Sequence, residues 1–261
     1  MRTTAPLAAF HALRAHGLRR RLRSAPLPRH LALIMDGNRR WARRAGLTDP
    51  GAGHRRGAEH VAEVLSWCES LGIGQVSVFV CSAENLRRRG ATEVASLMRT
   101  IEEVVTEHLR RPDSDWRVRI AGSLDALPDS TARALRTAVE STRDRPRGSV
   151  LTLAVGYGGR QEVVHSVREL LREQRASGTT LNDLAARLTA DDIGRHLYTA
   201  GAPDPELVIR TSGERRVSNF LLWQSAHSEL YFCDAYWPAF REIDFLRALH
   251  LYALRRRHTA D

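Results

Sequence analysis

Six short apolar runs punctuate the chain: LALIMD (Leu31 to Asp36), QVSVFVC (Gln75 to Cys81), RVRIAG (Arg117 to Gly122), VLTLAVG (Val150 to Gly156), LVIRT (Leu207 to Thr211) and ELYFC (Glu229 to Cys233). Their brevity and their Val, Ile and Leu content predict strands. Between most of them, apolar residues fall at helical spacing. Val61, Val64, Leu65 and Cys68 form such a stripe within Ala58 to Leu71, and Val163, Val164, Val167, Leu170 and Leu171 form another within Glu162 to Leu171. Strand alternating with helix predicts an α/β fold with a mostly parallel sheet covered on both faces.

No repeat or low-complexity block divides the chain, and its Pro- and Gly-bearing stretches are short turns such as Arg145 to Ser149 and Gly201 to Pro205. One domain over residues 30–261 is the simplest reading. Residues 1–29 form a basic segment with Leu13, Leu18 and Leu22 set among Arg14, Arg19, Arg20, Arg21 and Arg23, ending at Pro26 and Pro28. Its narrow apolar stripe predicts a helix packed on the domain rather than a membrane anchor.

The 261 residues, 43% hydrophobic and 27% charged, suffice for one sizeable core. All 40 basic residues are arginine; the chain has no lysine. That excludes a Walker A loop, Schiff-base catalysis and pyridoxal chemistry, each of which needs a lysine amine. Arginine's planar fork suits phosphate instead, so the net charge of +10 points to an anionic partner, although a GC-rich coding habit accounts for most of the arginines. Nucleic-acid binding is the composition-only reading, and no binding motif or aromatic-interleaved basic strip supports it. Cys68, Cys81 and Cys233 lack metal-ligand or disulfide spacing and fit a reducing cytoplasm. No apolar run reaches the roughly 20 residues of a membrane span, and no secretory signal opens the chain.

Ligands of parallel sheets bind beyond the carboxyl ends of the strands. The first run ends in Asp36 and passes into GNRRWARRAG, where a carboxylate, a permissive Gly37, helix-start amides, Arg39 and Arg40 together describe a metal-plus-phosphate site. A helix-capping role for Asp36 is the structural alternative. Ile34 occupies the place of the first Asp of a D-x-D phosphatase, which excludes that nucleophile. The second run leads to Ser82, Ala83, Glu84, Asn85, Leu86 and then Arg87, Arg88 and Arg89, an anion site or a solvated polar loop. Arg210 emerges from the fifth run and needs a partner, either a diphosphate or a carboxylate from Glu214 or Glu229. Glu229, in an apolar setting, needs a metal or a cation, with Arg210 and Arg216 as candidates.

IMDGNRRWA, the S-x-E-N segment, VGYGGRQEVV, PDPELVIRTSGERRVSNFLLWQ and SELYFCDAYWPAF, in this order, resemble the cis-prenyltransferase family, the isoprenyl diphosphate synthases related to undecaprenyl diphosphate synthase. The resemblance spans roughly residues 26–257. It implies a homodimer, a six-stranded mostly parallel sheet flanked by helices, and a hydrophobic tunnel for the growing prenyl tail. It further implies Mg2+-assisted condensation of isopentenyl diphosphate with an allylic diphosphate to form a Z double bond. By position, Asp36 matches the essential aspartate that handles Mg2+ and the allylic diphosphate. Gly37, Asn38, Arg39, Arg40 and Trp41 match the loop around that diphosphate, and His54 a phosphate-contacting histidine. Ser82, Ala83, Glu84 and Leu86 fall on a substrate-contacting segment, and Asn85 matches the residue proposed to help remove the isopentenyl proton. Arg88, Arg210, Arg216, Val217 and Ser218 match binding positions, the later ones for isopentenyl diphosphate. Glu229 matches the second Mg2+ ligand, which in the dimer lies near the partner's site.

Several residues depart from the long-chain pattern. GLTDPGAG lacks an arginine before His54, with Pro50 near its place; Leu86 replaces a common tryptophan, His227 a tyrosine and Ala239 an aspartate. Val80 stands where long-chain synthases carry Ala, and its bulk shortens the expected tunnel. These features resemble the actinobacterial short-chain branch, which implies one condensation of isopentenyl with geranyl diphosphate, stopping at (2Z,6E)-farnesyl diphosphate. Two alternatives are a decaprenyl or undecaprenyl diphosphate synthase and a catalytically silent partner subunit. The expected setting is cytoplasmic, with room for peripheral membrane contact at product release.

Overall fold

The computed structural model describes residues 5–109, 115–145 and 148–258. Residues 146–147 of the expected 145–149 turn lie outside them. In chain order the elements are α1 (Ala5–Leu22), β1 (His30–Ile34), α2 (Asn38–Arg44), α3 (Pro50–Ser70), β2 (Gln75–Ser82), α4 (Ala83–Arg88), α5 (Ala91–Val104), β3 (Trp116–Ala121), α6 (Asp129–Thr142), β4 (Ser149–Tyr157), α7 (Gly159–Ala176), α8 (Leu181–Arg187), α9 (Ala190–Gly194), β5 (Leu207–Arg210), β6 (Glu229–Phe232) and α10 (Glu242–His258). The strands form one six-stranded sheet in the order β3-β4-β2-β1-β5-β6, and every pairing is parallel. This single-domain α/β architecture meets the expectation of a mostly parallel sheet, with each strand within a residue or two of its apolar run.

Strand periodicity splits the core between the two faces of the sheet. Leu31 and Leu33 of β1 join a large cluster with Val76, Val78, Leu151 and the aromatic residues Trp116, Trp237, Phe240 and Phe245. The alternate residues Ala32 and Ile34 face a smaller cluster with Tyr157, Phe220 and Leu221. Helix α1 lies against α10. Leu22 is buried, Leu18 packs on the large cluster, and Leu13 is exposed. Arg19 of α1 bonds Glu242 of α10 at 2.5 Å and Ser70 of α3 at 3.2 Å. Among the described residues, no helix is long and apolar enough to cross a membrane.

The segment after β5 carries the strain of the fold. Ser212, Ser218, Asn219 and Leu221 all have positive φ, a conformation that non-glycine residues adopt at a cost. Surrounding contacts hold it there. Glu162, fully buried, accepts hydrogen bonds from the Tyr157 hydroxyl, from the Tyr198 N–H at 2.9 Å and from the Gln224 amide at 3.1 Å. Burial pushes its carboxyl up despite those donors. Gly159 opens α7 directly beneath the same segment, where a Cβ would lie 2.9 Å from Leu222 Cγ and 3.1 Å from the Asn219 carbonyl. The YGGRQE stretch is therefore a clamp on the strained segment that follows β5.

Candidate active site

Beyond the carboxyl ends of β1, β2 and β5 lies a polar cleft of about 540 Å3. β1 delivers Asp36, and the chain turns at Gly37, whose φ is +99°. A Cβ there would meet Tyr236 Cδ1 at 2.7 Å and Ser212 Cβ at 2.9 Å, so only glycine lets the chain pass into α2. Asp36 does not cap α2 by its side chain in the usual way; Gly37 is the N-cap residue and makes no side-chain capping bond. Instead, the carboxylate accepts from the Gly37 N–H at 2.7 Å and from Arg210 Nη2 at 2.8 Å, with Arg40 Nη2 at 3.7 Å. Burial works to raise this carboxyl, but the Arg210 hydrogen bond and charge, the Gly37 N–H and Arg40 outweigh it and hold it below the ordinary value.

Arg210 is 4% exposed and donates three side-chain hydrogen bonds. Besides Asp36, its Nη1 donates to the Arg216 carbonyl and to Ser218 Oγ, both at 2.6 Å. Glu214, a partner considered from the sequence, belongs instead to Arg216 at 2.5 Å and to Arg40 at 3.6 Å. Glu229 pairs with Arg255, not with Arg210 or Arg216. Two sequence readings of these ion pairs are thus corrected. The reason is topological: β1 neighbours β5, so the strand-end aspartate reaches Arg210 first.

The cleft also takes in Asn38, Arg39, His54, Ser82, Glu84, Asn85, Arg216 and Ser218. Ser82 N-caps α4, accepting from the Asn85 N–H at 2.9 Å, which fixes the start of the S-x-E-N segment. His54 stands 4.0 Å from Glu93, and its Nε2 is buried without a hydrogen-bond partner. Burial, followed by the Arg89 charge, lowers its pKa to about 4 against a smaller opposing pull from Glu93, so the ring is neutral at neutral pH. Asn38 Oδ1 and Arg210 Nε are likewise buried and unpartnered. These three polar atoms belong to cleft residues and have no hydrogen-bond partner among the described residues.

Six sequence candidates do not line the cleft. Trp41 and Leu86 are half-buried, Leu86 against the large core cluster, and Val217 packs on the smaller one. Ala83 is the first residue of α4. Arg88 is exposed and pairs with Glu84 at 2.9 Å; its neighbour Arg89 lines the cleft and meets Glu93 at 3.3 Å. Arg89 is the C-cap of α4, with extended backbone at ψ 151°, and so turns away from the helix. Nothing in a run of three arginines distinguishes them, since Arg88 has Glu84 and Arg89 has Glu93 at the same four-residue spacing. Arg43 is a further charged cleft residue that the sequence does not single out, and Glu214, expected there only as a partner of Arg210, also lines the cleft. Glu229 is level with Leu207, and through it with Leu31. β1 runs three residues beyond Leu31 to Ile34, ~10 Å at ~3.3 Å per residue, and Asp36 follows that end, two strands away from Glu229. Within one chain the two carboxylates cannot share an ion.

Behind the cleft, on the side of the large cluster, an apolar cavity of about 280 Å3 runs between the sheet and helices α3 and α5. Met35, Asn38, His54, Phe79 and Val80 line both spaces, forming a collar between polar cleft and apolar cavity. A charged cleft opening onto a greasy chamber suits an amphiphile with an anionic head and a hydrocarbon tail.

Residues 34–260 match the Prenyltransf family, that of undecaprenyl diphosphate synthase. The chain is a member of this cis-prenyltransferase family. An isoprenyl transferase of Streptomyces fradiae is 69% identical over 95% of this chain and 96% of its own. A (2Z,6E)-farnesyl diphosphate synthase of Mycolicibacterium smegmatis is 51% identical over 89% of this chain and 88% of its own. Among solved structures, lavandulyl diphosphate synthase from Lavandula x intermedia, in complex with dimethylallyl diphosphate, superposes with a TM-score of 0.80 at 31% identity, covering 87% of this chain and 95% of that one. The enzyme is therefore a cis-isoprenyl diphosphate synthase, and the family is generally Mg2+-dependent.

Proposed function

We propose that this cis-prenyltransferase condenses isopentenyl diphosphate with geranyl diphosphate once, releasing (2Z,6E)-farnesyl diphosphate, and that the apolar cavity serves as the tunnel for the tail. The size of the cavity carries this reading. A cavity of about 150 Å3 holds the six carbons of benzene, or ~25 Å3 per carbon. At that ratio the 280 Å3 chamber takes about eleven carbons. A geranyl tail has ten. After one condensation these ten occupy the chamber while the five new carbons span the collar, and a further condensation would add five carbons beyond what that volume takes. The name of the Mycolicibacterium relative agrees, whereas that of the Streptomyces relative leaves chain length open.

The donor set fits Mg2+. Asp36 is a part-exposed carboxylate in the cleft, and Asn38 Oδ1 is an unpartnered oxygen lining the same space. Mg2+ usually takes one or two protein carboxylates and completes its shell with phosphate and water. Asp36 would hold it, and the ion, when bound, offsets charge on the departing diphosphate. Arg39, Arg40 and neutral His54 bind the allylic diphosphate, while Arg210, Arg216 and Ser218 hold isopentenyl diphosphate. As the allylic C–O bond breaks, its electron pair leaves with the diphosphate, the isopentenyl double bond supplies the new C–C pair, and a proton leaves the adjacent carbon. Asn85 orients that C–H; a neutral carboxamide is a weak base, so a diphosphate oxygen accepts the proton. In the expected homodimer, Glu229 serves the second copy's cleft. A cytoplasmic setting fits the three free, buried cysteines.

Val80→Ala tests the collar. Removing two methyl groups where cleft and chamber meet shifts a measurable fraction of product to twenty carbons and beyond. A product distribution identical to that of the unaltered enzyme would clear Val80 of any role in chain length.

A further inference from the structure

Six arginines line the polar cleft, and five are already matched to carboxylates. Arg210 and Arg40 share Asp36, Arg40 and Arg216 share Glu214, and Arg39 and Arg89 share Glu93 at 3.5 and 3.3 Å. The sixth, Arg43, has no acidic partner and no side-chain hydrogen bond among the described residues. It stands on α2 at i+4 from Arg39 and i+3 from Arg40, on the same helical face as both. Arg44, the next residue, does not line the cleft; its guanidinium lies over the Tyr236 ring, 5.7 Å from the centroid.

The Asp49–Pro50 turn, by contrast, brings no cation of its own to this rim. Asp49 caps α3 through the Gly51 N–H at 2.7 Å and holds Arg55 at 2.6 Å. Arg55 does not line the cleft. The other five cleft arginines share three carboxylates, and Arg43 is the one cleft arginine with no carboxylate beside it among the described residues.

We infer that Arg43 is a further substrate-binding residue, which receives the terminal phosphate of the allylic diphosphate while Arg40, beside Asp36, serves the phosphate nearer the tail. This inference rests on the assignment of the allylic diphosphate to the α2 side of the cleft. An unpaired guanidinium gains a bidentate, charge-assisted contact with phosphate without giving up an internal ion pair. Each of the other five must share or surrender a carboxylate to do the same.

Arg43→Gln tests it, with Arg44→Gln as a charge-matched neighbour. In steady-state kinetics Arg43→Gln raises the KM for geranyl diphosphate about tenfold and leaves kcat and the KM for isopentenyl diphosphate within about twofold. Titration calorimetry with inorganic diphosphate, without metal ion and without turnover, shows a comparable loss of affinity for Arg43→Gln and none for Arg44→Gln. Equal losses in the two variants would reduce the effect to overall charge and overturn the inference, as would an unchanged affinity in Arg43→Gln. Should geranyl diphosphate not be the primer, the calorimetric comparison still reports on Arg43, separating failure of this inference from failure of the primer assignment.

Discussion

Asp36→Asn lowers turnover by about 10²- to 10³-fold, the scale expected for removing one preorganised electrostatic group, while the thermal midpoint moves by only a few degrees. The amide keeps the shape of the carboxylate and an oxygen for the Gly37 N–H or Arg210, but it loses the charge that a metal and a departing diphosphate require. Asparagine is the informative replacement because of Arg210. The sequence points to a metal-plus-phosphate role for Asp36, and the structure also makes it the counter-charge of a guanidinium that is 4% exposed. Alanine would strand that guanidinium at a cost of roughly 3–5 kcal/mol and mix folding with catalysis. Turnover by Asp36→Asn equal to that of the unaltered enzyme would remove Asp36 from the chemistry.

The second large effect belongs to Arg210 itself. Arg210→Ala abolishes measurable saturation with isopentenyl diphosphate and lowers the thermal midpoint by about 10 °C, because it frees the Asp36 carboxylate, the Arg216 carbonyl and Ser218 Oγ at once. Ser218 sits at positive φ, so its hold on Arg210 is part of what keeps the strained segment in place. Arg210→Lys, which keeps the charge but not the fork, recovers much of the thermal midpoint and little of the affinity for isopentenyl diphosphate. Melting scans and isopentenyl diphosphate KM values separate the two roles. A midpoint for Arg210→Ala equal to that of the unaltered enzyme would show that the bond network around it holds nothing.

The strands were legible because parallel strands buried on both faces read as short, nearly continuous apolar runs. The strand ends were legible for the same reason, which placed Asp36, Asn85 and Arg210 at the mouth of one cleft. What the sequence could not supply were pairings that depend on three-dimensional register. Asp36 and Arg210 are 174 residues apart and meet only because β5 lies beside β1. The position of Glu229 at the opposite end of the sheet follows from the β5–β6 register, which no local pattern encodes. The choice between Arg88 and Arg89 turns on one extended residue at the end of α4. The volume of the chamber likewise depends on how Trp116, Val105 and Leu151 pack from three separate elements. Val80 was singled out from the sequence, and its place in the collar shared by cleft and chamber gives that choice a physical basis.

One condensation fills the chamber. Incubating the purified enzyme with Mg2+, radiolabelled isopentenyl diphosphate and geranyl diphosphate, then sizing the dephosphorylated products by chromatography, tests it directly. The predicted result is a single dominant fifteen-carbon alcohol with a Z double bond at the new position, whereas products chiefly of forty carbons or more would contradict it.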